Sequence, residues 1–206
     1  TPATIGRIVE IGDGAIVAAR PVVVGEASPY YCFHPLALDR IAARLPQVRM
    51  IIVLRDPVER TLSYLRHHLE LYPGDGSASI EDVYDDDFRF RGLIHNHMVK
   101  MFSLTADEMD AGALTRVDFG PRHLQRAKEN LARVDVVGFQ EHYAGFCEEL
   151  NARFRWKLPD PRHINRTTPV PVDPGLRKRI AADNAFDVEL YAYARELSRE
   201  RTQPVR

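Results

Sequence analysis

The sequence predicts an α/β protein built on a parallel sheet, because short apolar runs alternate with segments of helical periodicity. The clearest run, residues 49–54, leads into Pro57 and then into apolar residues at helical spacing. Continuous apolar runs suit strands buried on both faces, which belong to parallel sheets. Residues 22–24 and 134–137 show the same passage from strand to helix. We therefore expect three parallel strands in a three-layer fold flanked by helices, with ligands at their carboxyl ends.

The helical segments follow from apolar spacing and from capping residues at their starts. Ser79 and Asp82 have the spacing of a capping box, and Asp173 is placed to cap the closing helix. Pro57 suits the first turn of the helix after the second strand. The predicted helices are one opened by Pro35 and carrying apolar residues as far as Leu45, 57–72, one opening at 79, 90–102, 121–133, 143–150 and a single closing helix reaching 197.

Composition indicates one globular domain over residues 1–206, with 45% hydrophobic and 28% charged residues. Residues 1–20, around the turn signal Gly12-Asp13-Gly14, form an irregular lead-in. The net charge of −1 offers no general attraction to nucleic acid or anionic lipid. Two cysteines do not make a disulfide framework, which favours a reducing, cytoplasmic compartment. No apolar run approaches the roughly 20 residues that cross a bilayer.

A phosphate-binding pair is indicated where the second strand ends. Arg55 follows the strand directly, and Ser63 lies about two helical turns further on. A guanidinium offers a planar fork of donors to a phosphate, and a hydroxyl adds a neutral donor. In the alternative, purely structural interpretation, Arg55 pairs with Asp56 or Glu59 and Ser63 is a tolerated helix residue.

Three linked motifs resemble those of sulfotransferases that use 3′-phosphoadenosine 5′-phosphosulfate (PAPS). The 3′-phosphate motif of that family resembles Leu54-Arg55-Asp56-Pro57-Val58-Glu59-Arg60-Thr61-Leu62-Ser63-Tyr64. Upstream, Gly25-Glu26-Ala27-Ser28-Pro29-Tyr30-Tyr31 is similar to a Gly-Glu-x-Ser/Thr-Pro-x-Tyr segment, and residues 45–50 resemble the lead-in to the 3′-phosphate strand. Residues 127–141 and Asn165 extend the similarity, which covers most of 22–197.

The resemblance implies the fold, the cofactor and the binding residues. It implies a P-loop-NTPase-like sulfotransferase fold in which residues 21–206 are the 3′-phosphate-binding and C-terminal portion. Arg55 and Ser63 would hold the 3′-phosphate of PAPS and of the product adenosine 3′,5′-bisphosphate, and Arg166 would close over the cofactor. Bacterial and Golgi-type enzymes share these motifs, and we expect a cytoplasmic bacterial protein.

One element of the family is missing from the sequence. Complete members begin with a strand and a lysine-bearing loop that holds the 5′-phosphosulfate, whereas the first lysine here is Lys100. We therefore expect an incomplete or divergent sulfotransferase fold with an exposed apolar sheet edge, unless another segment fills it.

The general base is not identified by the resemblance. The histidines that could serve are His34, His67, His68, His95 and His97. Glu26, Tyr30 and Tyr31 border the predicted crevice, although a structural role suits them equally. Arg162 accompanies Arg166 in the proline-rich loop. His95 and His97 lack a further ligand for zinc, so no metal is expected.

Two other functions remain open at this point. A non-catalytic protein that binds a nucleotide or a partner on a sulfotransferase scaffold would explain the absent lysine loop. A small-molecule kinase would share the doubly wound sheet, but the absence of a Walker loop speaks against it. The acceptor, whether sugar, lipid, peptide or small alcohol, is not selected by the sequence, and neither is the oligomeric state.

Overall fold

The computed structural model describes residues 34, 36–74, 76, 79–158 and 171–202, in which many helices surround a small parallel sheet. The strands are β1 (Ile51–Leu54) and β2 (Val136–Phe139). The α-helices in chain order are α1 (Ala37–Arg44), α2 (Pro57–Leu71), α3 (Ile80–Asp85), α4 (Asp87–Arg89), α5 (His97–Ser103), α6 (Pro121–Ala132), α7 (Tyr143–Phe154), α8 (Pro174–Asp183) and α9 (Ala185–Thr202). A π-helical turn covers Phe90–Ile94, and 3-10 turns cover Gly112–Leu114 and Gln140–His142.

The two strands are parallel neighbours, with Ile51 opposite Val136 and Leu54 opposite Phe139. The prediction that the strands at 51–54 and 134–137 run parallel is thus confirmed, but the strand expected at 134–137 begins two residues later, at Val136. It does so because the Val134 amide still bonds the Leu131 carbonyl (3.1 Å) at the end of α6. The predicted strand at 22–24 and the lead-in lie outside the described residues, so the three-layer sheet stays a prediction.

The two strands differ in how far their residues are buried. Every residue of β2 is buried, and a Cβ on Gly138 would overlap the Phe146 ring of α7. In β1, Val53 keeps 41% of its surface exposed. Of the described residues, only β2 pairs with β1. Among the described residues, the side of β1 that faces away from β2 thus has no paired strand.

Two predicted helices are each broken by an asparagine, which corrects the sequence-based boundaries. The helix expected over 90–102 is a π-turn followed by α5, with Asn96 between them in the left-handed conformation (φ 44°). The single closing helix is divided into α8 and α9 at Asn184. The two breaks meet, because the Asn96 amide donates to the Asn184 side-chain oxygen (2.8 Å). Asp173 caps α8 as predicted, accepting from Leu176 N (3.0 Å).

The largest apolar cluster joins the sheet to α5, α6 and α9, and a second cluster joins α2, α3 and α8. The second cluster packs the apolar face of α2, which carries Leu62 and Leu65, against α3 and α8. Cys147 lies buried in α7, as its context predicts, whereas Cys32 is outside the described residues. None of the described helices combines the length and apolar character of a membrane span.

Candidate functional site

The candidate site lies where both strands end. Because β1 and β2 run parallel, the segments after Leu54 and after Phe139 emerge at the same edge of the sheet. Arg55 and Asp56 follow β1, and the 3-10 turn containing Glu141 follows β2. Ligands of open α/β sheets bind at this edge.

Asp56 shapes the passage from β1 into α2. Its carboxylate accepts from the amides of Val58 (2.9 Å) and Glu59 (3.1 Å), and Pro57 occupies the first helical turn. The first-turn amides of α2 are therefore partnered within the chain. An anion at this place has to be bound by side chains.

Arg55 is half-buried and forms no hydrogen bond or ion pair with any residue in the described ranges. The partners of the alternative interpretation are engaged elsewhere: Asp56 caps α2, and Glu59 pairs with Arg177 of α8 at 2.6 Å. The charge of Arg55 nevertheless contributes to lowering the pKa of Glu141, so the two side chains lie near each other.

Ser63 lies in the second turn of α2 and is half-buried. Thr61, Leu62 and Leu65 are the buried side chains around it, and helical periodicity places Ser63 on the face opposite to Thr61 and Leu65. Its hydroxyl bonds to no other residue that the structure describes. Arg55 and Ser63 thus both keep donors for a ligand, on the strand end and on the adjoining helix.

Glu141 ties the two strand ends together. One carboxylate oxygen accepts from the Asp56 amide (2.9 Å), and the other accepts from the Tyr191 hydroxyl of α9 (2.9 Å). Burial acts to raise the pKa of Glu141, but these hydrogen bonds and the charge of Arg55 outweigh it and lower the pKa. Burial and then Glu141 raise the pKa of Tyr191. Glu141 is therefore ionised with both oxygens engaged.

A cleft of about 520 Å³ opens beside these residues. It lies between the strand ends, the start of α2 and one face of α8. The exposed Lys178 of α8 contributes a cationic side chain to it. The lining residues are Asp56, Val58, Glu59, Glu141, Arg177, Lys178 and Ala181.

Three of the histidines predicted as base candidates lie near the N-terminal half of the described chain. His34 accepts from the Leu36 amide through Nδ1 (3.3 Å), next to the start of α1. His68 lies between two tyrosine rings of α2, with centroids 6.1 and 5.0 Å away. His67 is exposed on α2, one turn beyond Ser63 and on the same side of the helix. The structure thus places His67 on the face of α2 that carries Ser63.

The other two histidines are packed in the interior. His95 stacks on Phe90 (5.3 Å) and meets Phe119 edge-on (5.2 Å), and burial lowers its pKa. His97 is buried at the start of α5, where burial and then the charges of Arg60 and Lys100 lower its pKa strongly. Both imidazoles are held neutral, in keeping with packing roles.

A cluster of buried charged groups, formed by Arg60, Lys100 and Asp187, was not predicted from the sequence. Asp187 of α9 accepts from the amides of Met98 (3.0 Å) and Val99 (2.8 Å), which caps α5 from another helix. Burial raises the pKa of Asp187 to about 6, although Arg60 and these hydrogen bonds act in the opposite direction. Arg60 itself donates to the Ile94 carbonyl (3.1 Å), and burial lowers its pKa.

Lys100 belongs to the same cluster and is fully buried. Its ammonium donates to the carbonyls of Gly92 (2.7 Å) and Thr115 (2.8 Å). Burial and then the charge of Arg60 lower its pKa to about 8. Apolar residues on both sides of Lys100 in the sequence were the available signal that this segment is buried on all faces.

Several of the predicted site residues belong to two other segments of the chain. Residues 25–31, with Glu26, Tyr30 and Tyr31, and residues 159–170, with Arg162, Asn165 and Arg166, lie outside the described residues. Within the described ranges, no group of His, Cys, Asp and Glu side chains could hold a metal ion.

Comparison with known proteins finds distant sulfotransferase relatives. Human heparan-sulfate 6-O-sulfotransferase 3 is 30% identical over 184 residues, covering 73% of this chain and 38% of its own length. Chicken heparan-sulfate 6-O-sulfotransferase 2 is 27% identical over 190 residues, covering 76% of this chain and 45% of its own. Membrane-associated sulfotransferase kil1 of Dictyostelium discoideum is 33% identical over 73 residues, which is 35% of this chain and 14% of its own.

The chain thus spans less than half the length of these relatives. No protein-family model matches the chain. No solved structure matches it either. The relatives support a sulfotransferase family, and the helix-rich α/β fold with its small parallel sheet is compatible with the sulfotransferase fold.

Proposed function

We propose that this relative of sulfotransferases transfers the sulfuryl group of PAPS to a hydroxyl of a carbohydrate acceptor. The observation that carries the proposal is Arg55: it directly follows β1, lies beside the start of α2 and has no internal partner among the described residues. An arginine at a strand end that has no partner among the described residues is better explained by ligand binding than by a role in stabilising the fold. The carbohydrate acceptor is suggested by the names of the heparan-sulfate relatives.

The 3′-phosphate would be held by side chains of β1 and α2. Asp56 occupies the first amides of α2, so Arg55 supplies the charge and Ser63 a neutral hydroxyl on the ligand-facing side. This pair would select PAPS and adenosine 3′,5′-bisphosphate over nucleotides without a 3′-phosphate. Arg166 would complete the enclosure from the proline-rich loop.

PAPS, when bound, supplies the sulfuryl group. The acceptor oxygen forms a new bond to sulfur as the bond between sulfur and the 5′-phosphate oxygen breaks, and adenosine 3′,5′-bisphosphate leaves. The chain's part in this reaction is to fix the reactants and to take the acceptor proton. The candidate that we propose for accepting that proton is His67, which is exposed on α2 one turn beyond Ser63. Lys100 cannot replace the lysine of a phosphosulfate loop, because it is buried and bound to backbone carbonyls.

A second candidate is a non-catalytic protein that binds the nucleotide, because Arg55 and Ser63, the anchors identified among the described residues, would hold the 3′-phosphate and not the transferred group. One experiment separates the two functions. The full chain is incubated with PAPS carrying radioactive sulfur and with desulfated heparan sulfate, and labelled polysaccharide is counted. In parallel, calorimetry compares adenosine 3′,5′-bisphosphate with adenosine 5′-monophosphate.

Transfer of label together with tighter binding of the bisphosphate is the expected result. Tighter binding of the bisphosphate without any transfer would favour the binding protein. Equal affinities for the two nucleotides would reject the assignment of the 3′-phosphate site to Arg55 and Ser63.

A further inference from the structure

Glu141 places a carboxylate near Arg55, the residue proposed to bind the 3′-phosphate of an anionic nucleotide. An uncommitted carboxylate there would repel the ligand. Both of its oxygens are, however, directed to partners in the chain, the Asp56 amide and the Tyr191 hydroxyl, each at 2.9 Å. Its position at the strand ends is therefore explained by the two groups that it holds, the Asp56 amide and the Tyr191 hydroxyl.

The amide that Glu141 holds is the one that directly follows Arg55. A peptide unit is planar, so fixing the Asp56 N–H also fixes the orientation of the Arg55 carbonyl and limits the backbone rotation at Arg55. The same residue, Asp56, then caps α2 with its side chain. One hydrogen bond thus sets both the direction of Arg55 and the start of the helix that carries Ser63.

Tyr191 in turn connects Glu141 to a rigid support. It lies one turn beyond Asp187 on α9, and Asp187 anchors that helix to α5 through two buried hydrogen bonds. Tyr191 also packs edge-on against Phe139 of β2 at 5.4 Å. Glu141 is therefore braced by the core on one side while it holds the strand end on the other.

We propose that Glu141, braced by Tyr191, is a positioning residue that aligns Arg55 for the 3′-phosphate of the nucleotide. This inference rests on the proposed function of Arg55. It goes beyond that function by assigning the alignment to a residue from the neighbouring strand end. Glu141 acts through Arg55 and does not touch the ligand.

The test is calorimetric titration of the full chain with adenosine 3′,5′-bisphosphate and with adenosine 5′-monophosphate, which lacks the 3′-phosphate. Glu141→Ala removes both hydrogen bonds and is expected to weaken bisphosphate binding roughly tenfold, with the monophosphate changed less than about twofold. Tyr191→Phe removes the brace alone and is expected to cost about threefold for the bisphosphate only. Glu129→Ala, at an exposed glutamate of α6, is the matched control and should change neither.

Glu141→Gln separates positioning from charge. Its amide oxygen can accept from Asp56 N–H while its amide group donates to the Tyr191 oxygen, so both contacts survive. We expect it to restore bisphosphate affinity to within about threefold of the wild type. A glutamine variant as weak as Glu141→Ala would overturn the positioning role.

A double-mutant cycle with Arg55→Ala tests whether Glu141 works through Arg55. Once Arg55 is absent, Glu141→Ala should weaken bisphosphate binding by less than about twofold more. Additive losses would overturn the proposal, as would an unchanged bisphosphate preference in Tyr191→Phe if Glu141→Ala does not fold. Failure of the proposed function looks different: the wild type itself would show no bisphosphate preference and Arg55→Ala would leave it unchanged.

Discussion

Replacing Arg55 by alanine separates a ligand-binding arginine from a structural one. Arg55 has no hydrogen bond or ion pair with the described residues, so its loss should change the free energy of unfolding by less than about 0.5 kcal/mol. Charge-assisted hydrogen bonds to a phosphate are worth roughly 1.5–3 kcal/mol, which is about a ten- to hundredfold loss of affinity. Ser63→Ala should cost about 1 kcal/mol of binding, and Arg55→Lys should rescue only part of the loss.

The assay is thermal unfolding with and without adenosine 3′,5′-bisphosphate. Arg60 provides the matched control, because it lies five positions along but donates to the Ile94 carbonyl (3.1 Å) inside the buried cluster. Arg60→Ala should lower the unfolding free energy by about 2 kcal/mol. Arg55→Ala should melt like the wild type without ligand and lose most of the ligand-induced increase in Tm. A destabilised Arg55→Ala protein that still gains the wild-type increment would refute the site.

Three further predictions concern the buried cluster and the base. Asp187→Ala removes both acceptors that cap α5 and should lower the unfolding free energy by about 3 kcal/mol in urea titrations, whereas a loss below about 1 kcal/mol would contradict the capping role. Because the folded-state pKa of Lys100 is lowered from 10.5 to about 8, the folded protein releases this proton before the unfolded chain does, and stability should rise between about pH 8 and 10.5. Lys100→Met should flatten that rise, and an unchanged slope would rule out Lys100 as its source. His67→Ala should reduce kcat by roughly 100-fold or more with unchanged bisphosphate affinity, while His142→Ala, an exposed histidine after β2, should leave kcat unaltered.

The sequence is sufficient for features that depend on neighbouring residues. The run ending at Leu54, followed by Asp56 and Pro57, contains the strand, the cap and the first helical turn, so the unit that carries Arg55 and Ser63 could be predicted locally. Asp173 allowed the start of α8 to be predicted for the same reason.

Features set by long-range contacts could not be predicted in this way. The breaks at Asn96 and Asn184 stabilise each other across 88 positions, and each segment alone has ordinary helical spacing. The role of Glu141 depends on the pairing of β1 with β2, which brings it to Asp56 only in the folded chain. Lysine side chains normally lie at the protein surface, where water solvates the ammonium. In Lys100 the ammonium instead donates hydrogen bonds to backbone carbonyls in the interior.

The most direct test of the central claim is a crystal structure of the full chain with adenosine 3′,5′-bisphosphate. We expect the 3′-phosphate at the carboxyl end of β1, with oxygens about 2.7–3.0 Å from the Arg55 guanidinium and from the Ser63 hydroxyl. The Glu141 carboxylate should still accept from Asp56 and Tyr191. A 3′-phosphate bound elsewhere, for instance to Lys178 with Arg55 and Ser63 out of reach, would contradict the account.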